Sequence, residues 1–332
     1  MGPKEETHNQ MSTHTDERPA LLSWLVLYLK GVCMGAADAV PGVSGGTIAL
    51  VTGIYERLIS AVTAITPERI RRVLSGLSPK HRSDAVAALR EIDVGFLVVL
   101  GAGIVTAIIT VTRVLTVAID QQPVPTFGFF FGLIAASAVV LYAQVSLDSP
   151  RQLVAAVAGF TVAFVASGTV GTALGNSLPV TVVAGAIAVS AMILPGISGS
   201  LLLLLLGQYE YMTGTLSEFV DTLIDVAMGG PTSSLVEPGT IVVAFIAGAL
   251  VGLFTIAHVV RWALEHYRRE TLAFLVSLIV GALRAPVVKT SEKLGELGQT
   301  WSVELFGIFA LAALGGAILV LLVDRYTMVI EP

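Results

Sequence analysis

From Leu21 onward the chain is dominated by apolar blocks, several of them near the twenty residues that a helix needs to cross about 30 Å of hydrocarbon. Six blocks predict full transmembrane helices: 95–119, 127–145, 153–174, 241–260, 272–288 and 303–323. The block 272–288 is the shortest and ends on Arg284 and Pro286. Two other apolar stretches are interrupted. In the first, about ten residues separate Lys30 from Pro41-Gly42 and about thirteen run from Gly46 to Leu58, so each arm is about 15 to 20 Å long and crosses nothing alone. This pattern predicts a re-entrant hairpin over 30–60, with Leu21 to Leu29 before it as an interfacial or packing helix, and a second hairpin over 180–214. One kinked span is the alternative, since proline is tolerated inside membrane helices. Pro, Gly, Ser and Gly together free more backbone than a kink needs, which favours the hairpin.

The interrupted stretches are copies of each other. Met34 to Arg57, MGAADAVPGVSGGTIALVTGIYER, returns 154 positions later as AVSAMILPGISGSLLLLLLGQYEY. Pro41, Gly42, Ser44, Gly45, Gly53, Tyr55 and Glu56 match Pro195, Gly196, Ser198, Gly199, Gly207, Tyr209 and Glu210. A second match, TFGFFFGLIAAS from Thr126 against TLAFLVSLIVGA from Thr271, lies at an offset of 145, as expected if the loop after the hairpin is shorter in the second half. The chain therefore reads as an all-α polytopic membrane protein: a polar tail over 1–20, then two halves, 21–175 and 176–332, each a re-entrant hairpin plus three spans.

Loop charge orients the halves. Arg57, Arg69, Arg71, Arg72, Lys80, Arg82 and Arg90 follow the first hairpin, and Lys4, Arg18 and Lys30 precede or open it, so both its ends read as cytoplasmic. The stretch 208–239 after the second hairpin carries Glu210, Glu218, Asp221, Asp225 and Glu237 without a lysine or arginine and reads as outside. Arg261, Arg268 and Arg269 then return inside, as do Asp324 and Arg325 near the C-terminus; Arg284, Lys289 and Lys293 on an outside loop dissent. The halves are thus expected to have opposite orientation in the cytoplasmic membrane, with both termini inside.

Composition agrees with this class and narrows the chemistry. Of 332 residues, 55% are hydrophobic and 13% charged, and the mean hydropathy is +0.84, too little polar surface for a soluble globule. A net charge of -5 without a basic patch points away from nucleic acid. One cysteine and five scattered histidines give no metal-binding spacing, and no cofactor is implied. A homo-oligomer is compatible with the sequence.

The hairpin tips are where an anion site is expected. Proline ends a descending half-helix and the glycines allow tight turns close to a ligand. Ser44 and Ser198 then stand at the N-cap of an ascending half-helix whose first N–H groups and dipole favour an oxyanion. Gly45, Gly46, Thr47, Gly199 and Ser200 line those first turns, and Thr47 and Ser200 add hydroxyls. Close helix packing by small residues is the plainer reading of one such motif; two copies with matching downstream spacing favour a site. Intramembrane charge needs a reason, and Asp38, Arg113, His258 and Arg261 are the candidates. Arg113 near the outer end of its span and Arg261 near the inner end of the corresponding one read as guides for a phosphate. Asp38 faces Met192 in the other copy, so a protonation role for it is asymmetric; a lone histidine more often packs. Glu56, Arg57 and Glu210 are coupling or countercharge candidates, and Tyr55 and Tyr209 read as interface anchors.

The segment GVCMGAADAVPGVSGGTIALVTGIYERLI, with LPGISGSLLLLLLGQYE in support, resembles a membrane family once catalogued as a domain of unknown function and since linked to polyprenyl-phosphate translocation. The resemblance spans about Lys30 to Val323. It implies a flippase that returns undecaprenyl phosphate, or an archaeal dolichyl-type phosphate, for reuse in cell-surface glycan synthesis. It carries the site onto Asp38, Pro41, Gly42, Ser44, Gly45, Gly46, Thr47, Glu56, Arg57, Pro195, Gly196, Ser198 and Gly199. Polyprenyl-pyrophosphate phosphatases share this fold logic but follow the motif serine with an arginine, where this chain has Gly45 and Gly199, so an enzyme is disfavoured. A carrier of a small soluble anion is the other alternative.

Overall fold

In the computed structural model, residues 20–76, 81–143, 145, 147–170, 175–192 and 198–330 are described, and they form helices with no strand among them. Seven helical segments among the described residues are long and apolar enough to cross a membrane, which makes this an all-α multi-pass membrane protein.

Helix α1 (Ala20–Ala39) is one unbroken rod about 30 Å long. It absorbs Leu21 to Leu29, which the apolar pattern set apart, so Leu22–Ala39 is long and apolar enough to cross a membrane where an arm of about 15 to 20 Å was expected. The reason is Lys30, whose ammonium is satisfied inside the hairpin by the Thr52 carbonyl at 2.5 Å rather than marking the edge of the apolar arm. After a break at 40–44 comes α2 (Gly45–Val51), a helix of seven residues. Gly53, at φ 68, ends it: its N–H bonds to Leu50 O at 3.0 Å and that of Ile54 to Ala49 O at 3.0 Å. The basic stretch that follows is α3 (Tyr55–Thr63), α4 (Pro67–Ser75) and α5 (Arg82–Glu91). Arg69 and Arg72 close on Glu91 at 2.9 and 2.8 Å, and Arg57 on Asp93 at 2.7 Å.

Three long helices follow: α6 (Val94–Gln121), α7 (Pro123–Tyr142) and α8 (Pro150–Val165), which runs on into a π turn at Ala166–Val170. Only Gln122 separates α6 from α7, and a Ser149–Gln152 capping box opens α8. The stretch 180–214, expected as the second hairpin, falls on α9 (Leu178–Met192), α10 (Gly199–Leu205) and the start of α11 (Tyr209–Ala227). Gly207, at φ 67, ends α10 as Gly53 ends α2, with Gln208 N–H on Leu203 O at 2.8 Å. The motif glycines Gly53 and Gly207 thus stand just past the helix C-caps Thr52 and Leu206, at positive φ.

Next come α12 (Val236–Phe254), α13 (Ile256–His266), α14 (Arg268–Ala282), α15 (Arg284–Glu296) and α16 (Val303–Ile330). The block 241–260 is divided at Thr255, which caps the end of α12 and the start of α13 at φ −113, ψ −68. The block 272–288 spans two helices, and the loop expected to hold Arg284, Lys289 and Lys293 is α15. Arg284 does not stop the chain, because it donates to Phe164 O at 2.7 Å and lies 4.5 Å from the Phe164 ring centroid.

Glycine sets how the helices meet. Gly31 packs on the carbonyl of Leu100 and Gly103 on that of Tyr28 between α1 and α6; Gly185 packs on Phe245 and Gly248 on Val182 between α9 and α12. The second set lies 154 residues beyond the first on one helix and 145 on the other. Between α7 and α16, Gly316 meets Phe129 O; between α8 and α14, Gly159 meets Phe274 O. In each pair the contacts advance together along both helices, so the partners run parallel. None of these contacts admits a Cβ, and close backbone approach is the main attraction available between helices in lipid.

Candidate functional site

The first tip is built against α7. Gly42 sits at φ 95, with the backbone of Leu133 and Ile134 within about 3 Å of where a Cβ would stand, and its carbonyl accepts the Ser137 hydroxyl at 2.6 Å. Ser44 is the N-cap of α2, in extended conformation, and its side chain makes no cap bond. The first donor of α2 is already taken: Gly45 N–H donates to Asp38 Oδ1 at 2.7 Å. The sequence leads one to expect a bare helix end, and a carboxylate from α1 holds one of its donors instead. Thr47 and Ile48 N–H turn back to Ser44 O at 3.1 and 3.3 Å.

Beside this tip lies a cleft of about 550 Å³ between α1, α7 and α16. Its walls are apolar, from Val40 and Ile48 to Leu141, Leu319 and Val320. Its polar groups are Ser44, Thr47 and Ser137 at the tip and Asp324 on α16. No described residue hydrogen-bonds the hydroxyl of Ser44 or of Thr47.

The second tip is drier. Pro195 and Gly196 lie outside the described residues. The buried hydroxyls of Ser198 and Ser200 bond to each other at 2.8 Å. Gly199 packs on Ala188 O and on Met192, which stands where Asp38 stands in the first tip. The tips are neighbours: a Cβ on Gly46 would lie 3.9 Å from the Met192 carbonyl, and Tyr209 donates to Ala39 O at 2.8 Å. Tyr209 is therefore a buried tie rather than an interface anchor, 2% exposed with its ring 5.9 Å from Phe130 edge to face.

The remaining candidates are dispersed. Arg113 pairs with Asp221 of α11 and does not line the cleft. The offset that takes Gly103 to Gly248 takes Arg113 to His258, not to Arg261; the side chains of both lie outside the described residues. Glu56 is exposed, Arg57 is held by Asp93, and Glu210 stands between Lys289 and Lys293, 3.6 Å from each. Ser137, Asp324, Lys289 and Lys293 were not singled out for the site. The spacing of the two lysines, one helical turn apart, is the only sequence signal that could have found them.

Residues 34–300 match a family model described as undecaprenyl phosphate translocase-like. The chain belongs to that family. It is 36% identical over 263 residues to a polyprenyl-phosphate transporter of Vibrio cholerae, covering 79% of this chain and 77% of the relative. It is 29% identical over 271 residues to a polyprenyl-phosphate transporter of Staphylococcus aureus, covering 77% and 84%. No solved structure matches significantly. Membership makes the protein a transporter rather than an enzyme. Packing is tight at both glycines: a Cβ at Gly45 would meet the Asp38 carboxyl and one at Gly199 the Ala188 carbonyl.

Proposed function

We propose that this protein carries a polyprenyl phosphate across the cytoplasmic membrane, receiving the phosphate head at the first tip while the isoprenoid tail stays in the bilayer. The observation that carries this reading is the cleft: apolar walls that suit a lipid tail converge on the Ser44 and Thr47 hydroxyls, which no described residue engages. The names of the relatives supply the same substrate class. Ser198, Gly199 and Ser200 hold the corresponding place at the second tip.

The two halves, 21–175 and 176–332, are read as inverted repeats. Helix α1 runs parallel to α6, and α9 to α12. The parallel packing of α7 with α16 and of α8 with α14 supports a reading in which α1 and α9 run oppositely and their tips enter from opposite faces. By the positive-inside rule, the arginines of α3 to α5 support a cytoplasmic side for that face and for both termini, and the acidic stretch 208–239 supports the outside. Movement of one half against the other then exposes the head to each side in turn.

Binding to the purified protein tests the substrate assignment. Polyprenyl phosphate should bind and neutral polyprenol should not, and the Ser44→Ala/Thr47→Ala pair should weaken binding by about tenfold or more, the worth of a hydrogen bond to a charged group. Equal competition by inorganic phosphate would instead mark a carrier of a soluble anion.

A further inference from the structure

The cleft beside the first tip has a counterpart that is shut. The offset relating Phe129 to Phe274 carries Val140 of the cleft wall onto Ala285, and the offset relating Gly316 to Gly159 carries Val323 and Asp324 onto Ala166 and Ser167. Ala166, Ser167 and Ala285 do meet around a cavity, against Leu204 and Leu205 of α10, but its volume is only about 10 Å³ where the first cleft has about 550 Å³.

Helix α15 closes it. Arg284 bonds to Phe164 O and lies where a Cβ on Gly168 would stand, which pins the start of α15 to the end of α8. Lys289 and Lys293 place their ammonium groups 3.6 Å from the two oxygens of Glu210, the motif glutamate of the second hairpin, and each also pairs with Glu292 or Glu296 on its own helix. Among the described residues of the first half nothing pairs with the exposed Glu56, and by sequence the positions that match Lys289 and Lys293 are Gln144 and Asp148.

We propose that this shut cavity is the second entrance for the lipid phosphate, and that Glu210, Lys289 and Lys293 are the gate that keeps it closed. The proposal rests on the inverted-repeat reading above. Lys289 lines the cavity beside Glu292, its partner at 2.9 Å, so departure of Glu210 takes a negative charge away from the path of an incoming phosphate head. Opening this side and closing the other is one conformational exchange, and the gate biases it toward the first side.

Cysteine labelling in liposomes tests the gate. The native Cys33 is exposed and is first replaced by alanine. A maleimide should then label Val140→Cys at least about tenfold faster than Ala285→Cys; Glu210→Gln should speed labelling at 285 and slow it at 140, the signature of a shifted population. Unchanged rates, or equal acceleration at both positions, would overturn the gate. If Glu210→Gln does not fold, Lys289→Gln/Lys293→Gln is read the same way. In Glu210→Gln, which keeps both lysines, polyprenyl phosphate should protect position 285 and inorganic phosphate should not; protection by neither, or by inorganic phosphate alone, would overturn the lipid entrance. The rate comparison uses no lipid, so its failure is separable from failure of the transport reading.

Discussion

Tyr209 donates its hydroxyl proton to the carbonyl of Ala39 at 2.8 Å, bonding the second hairpin to the end of the helix that leads into the first. That carbonyl belongs to the last turn of α1, where no helical N–H remains to meet it. With Tyr209 2% exposed, no water replaces the bond. Tyr209→Phe should therefore lower stability by about 1 to 3 kcal/mol, the cost of stranding a buried acceptor. Thermal unfolding in detergent measures it, with Tyr55→Phe, at the matching position of the first hairpin, as the control that should change little.

Asp38 and Gly45 are fitted to each other. A methyl at Gly45 collides with the Asp38 carboxyl, so Gly45→Ala should give little folded protein or little transport. Removing the obstacle should compensate: Asp38→Ala/Gly45→Ala should recover folding relative to Gly45→Ala alone. A double-mutant cycle read by folded yield reports the coupling. Additive losses would show that the crowding lies elsewhere.

Helix contacts through glycine carry a graded prediction. Gly132 packs directly on Ala313 O, whereas a Cβ at Gly101 would meet nothing within 4 Å. Gly132→Ala should cost about 1 to 3 kcal/mol by overpacking. Gly101→Ala should be neutral or slightly stabilising. Unfolding midpoints of the two variants make the comparison.

Outside the membrane, Glu91 joins α4 to α5. Its carboxyl is held below its usual range by the hydrogen bond from Arg72, with Arg69 second. A carboxyl depressed in the folded state adds stability that is complete above the ordinary value of 4.5 and is lost as pH falls through the lowered one. Hydrogen exchange over α4 and α5 should thus be flat in pH above 4.5, after correction for intrinsic rates, and should rise below it. Glu91→Gln should exchange fast throughout.

What the sequence made legible followed from local chemistry. The Pro-Gly-x-Ser-Gly motif marked the break at 40–44, and Gly53 and Gly207 recur because only a residue at ease at positive φ ends α2 and α10 in so short a turn. Lys30 misled, because a charge in an apolar run marks a boundary unless a distant carbonyl meets it, and Thr52 does. Arg113 looked like a phosphate guide because its partner Asp221 lies 108 residues away in another half. The pairing of Glu210 with Lys289 and Lys293 had no local signature for the same reason. Tyr209 carries the same Tyr-Glu motif as Tyr55, and only packing against Phe130 buries it.

Transbilayer movement of polyprenyl phosphate, followed in liposomes containing the purified protein, tests the central claim most directly. The account predicts movement of the phosphate lipid and not of polyprenol by the native chain, and a fall of about tenfold or more in Ser44→Ala/Thr47→Ala with the fold intact. Undiminished movement by that folded variant would contradict it.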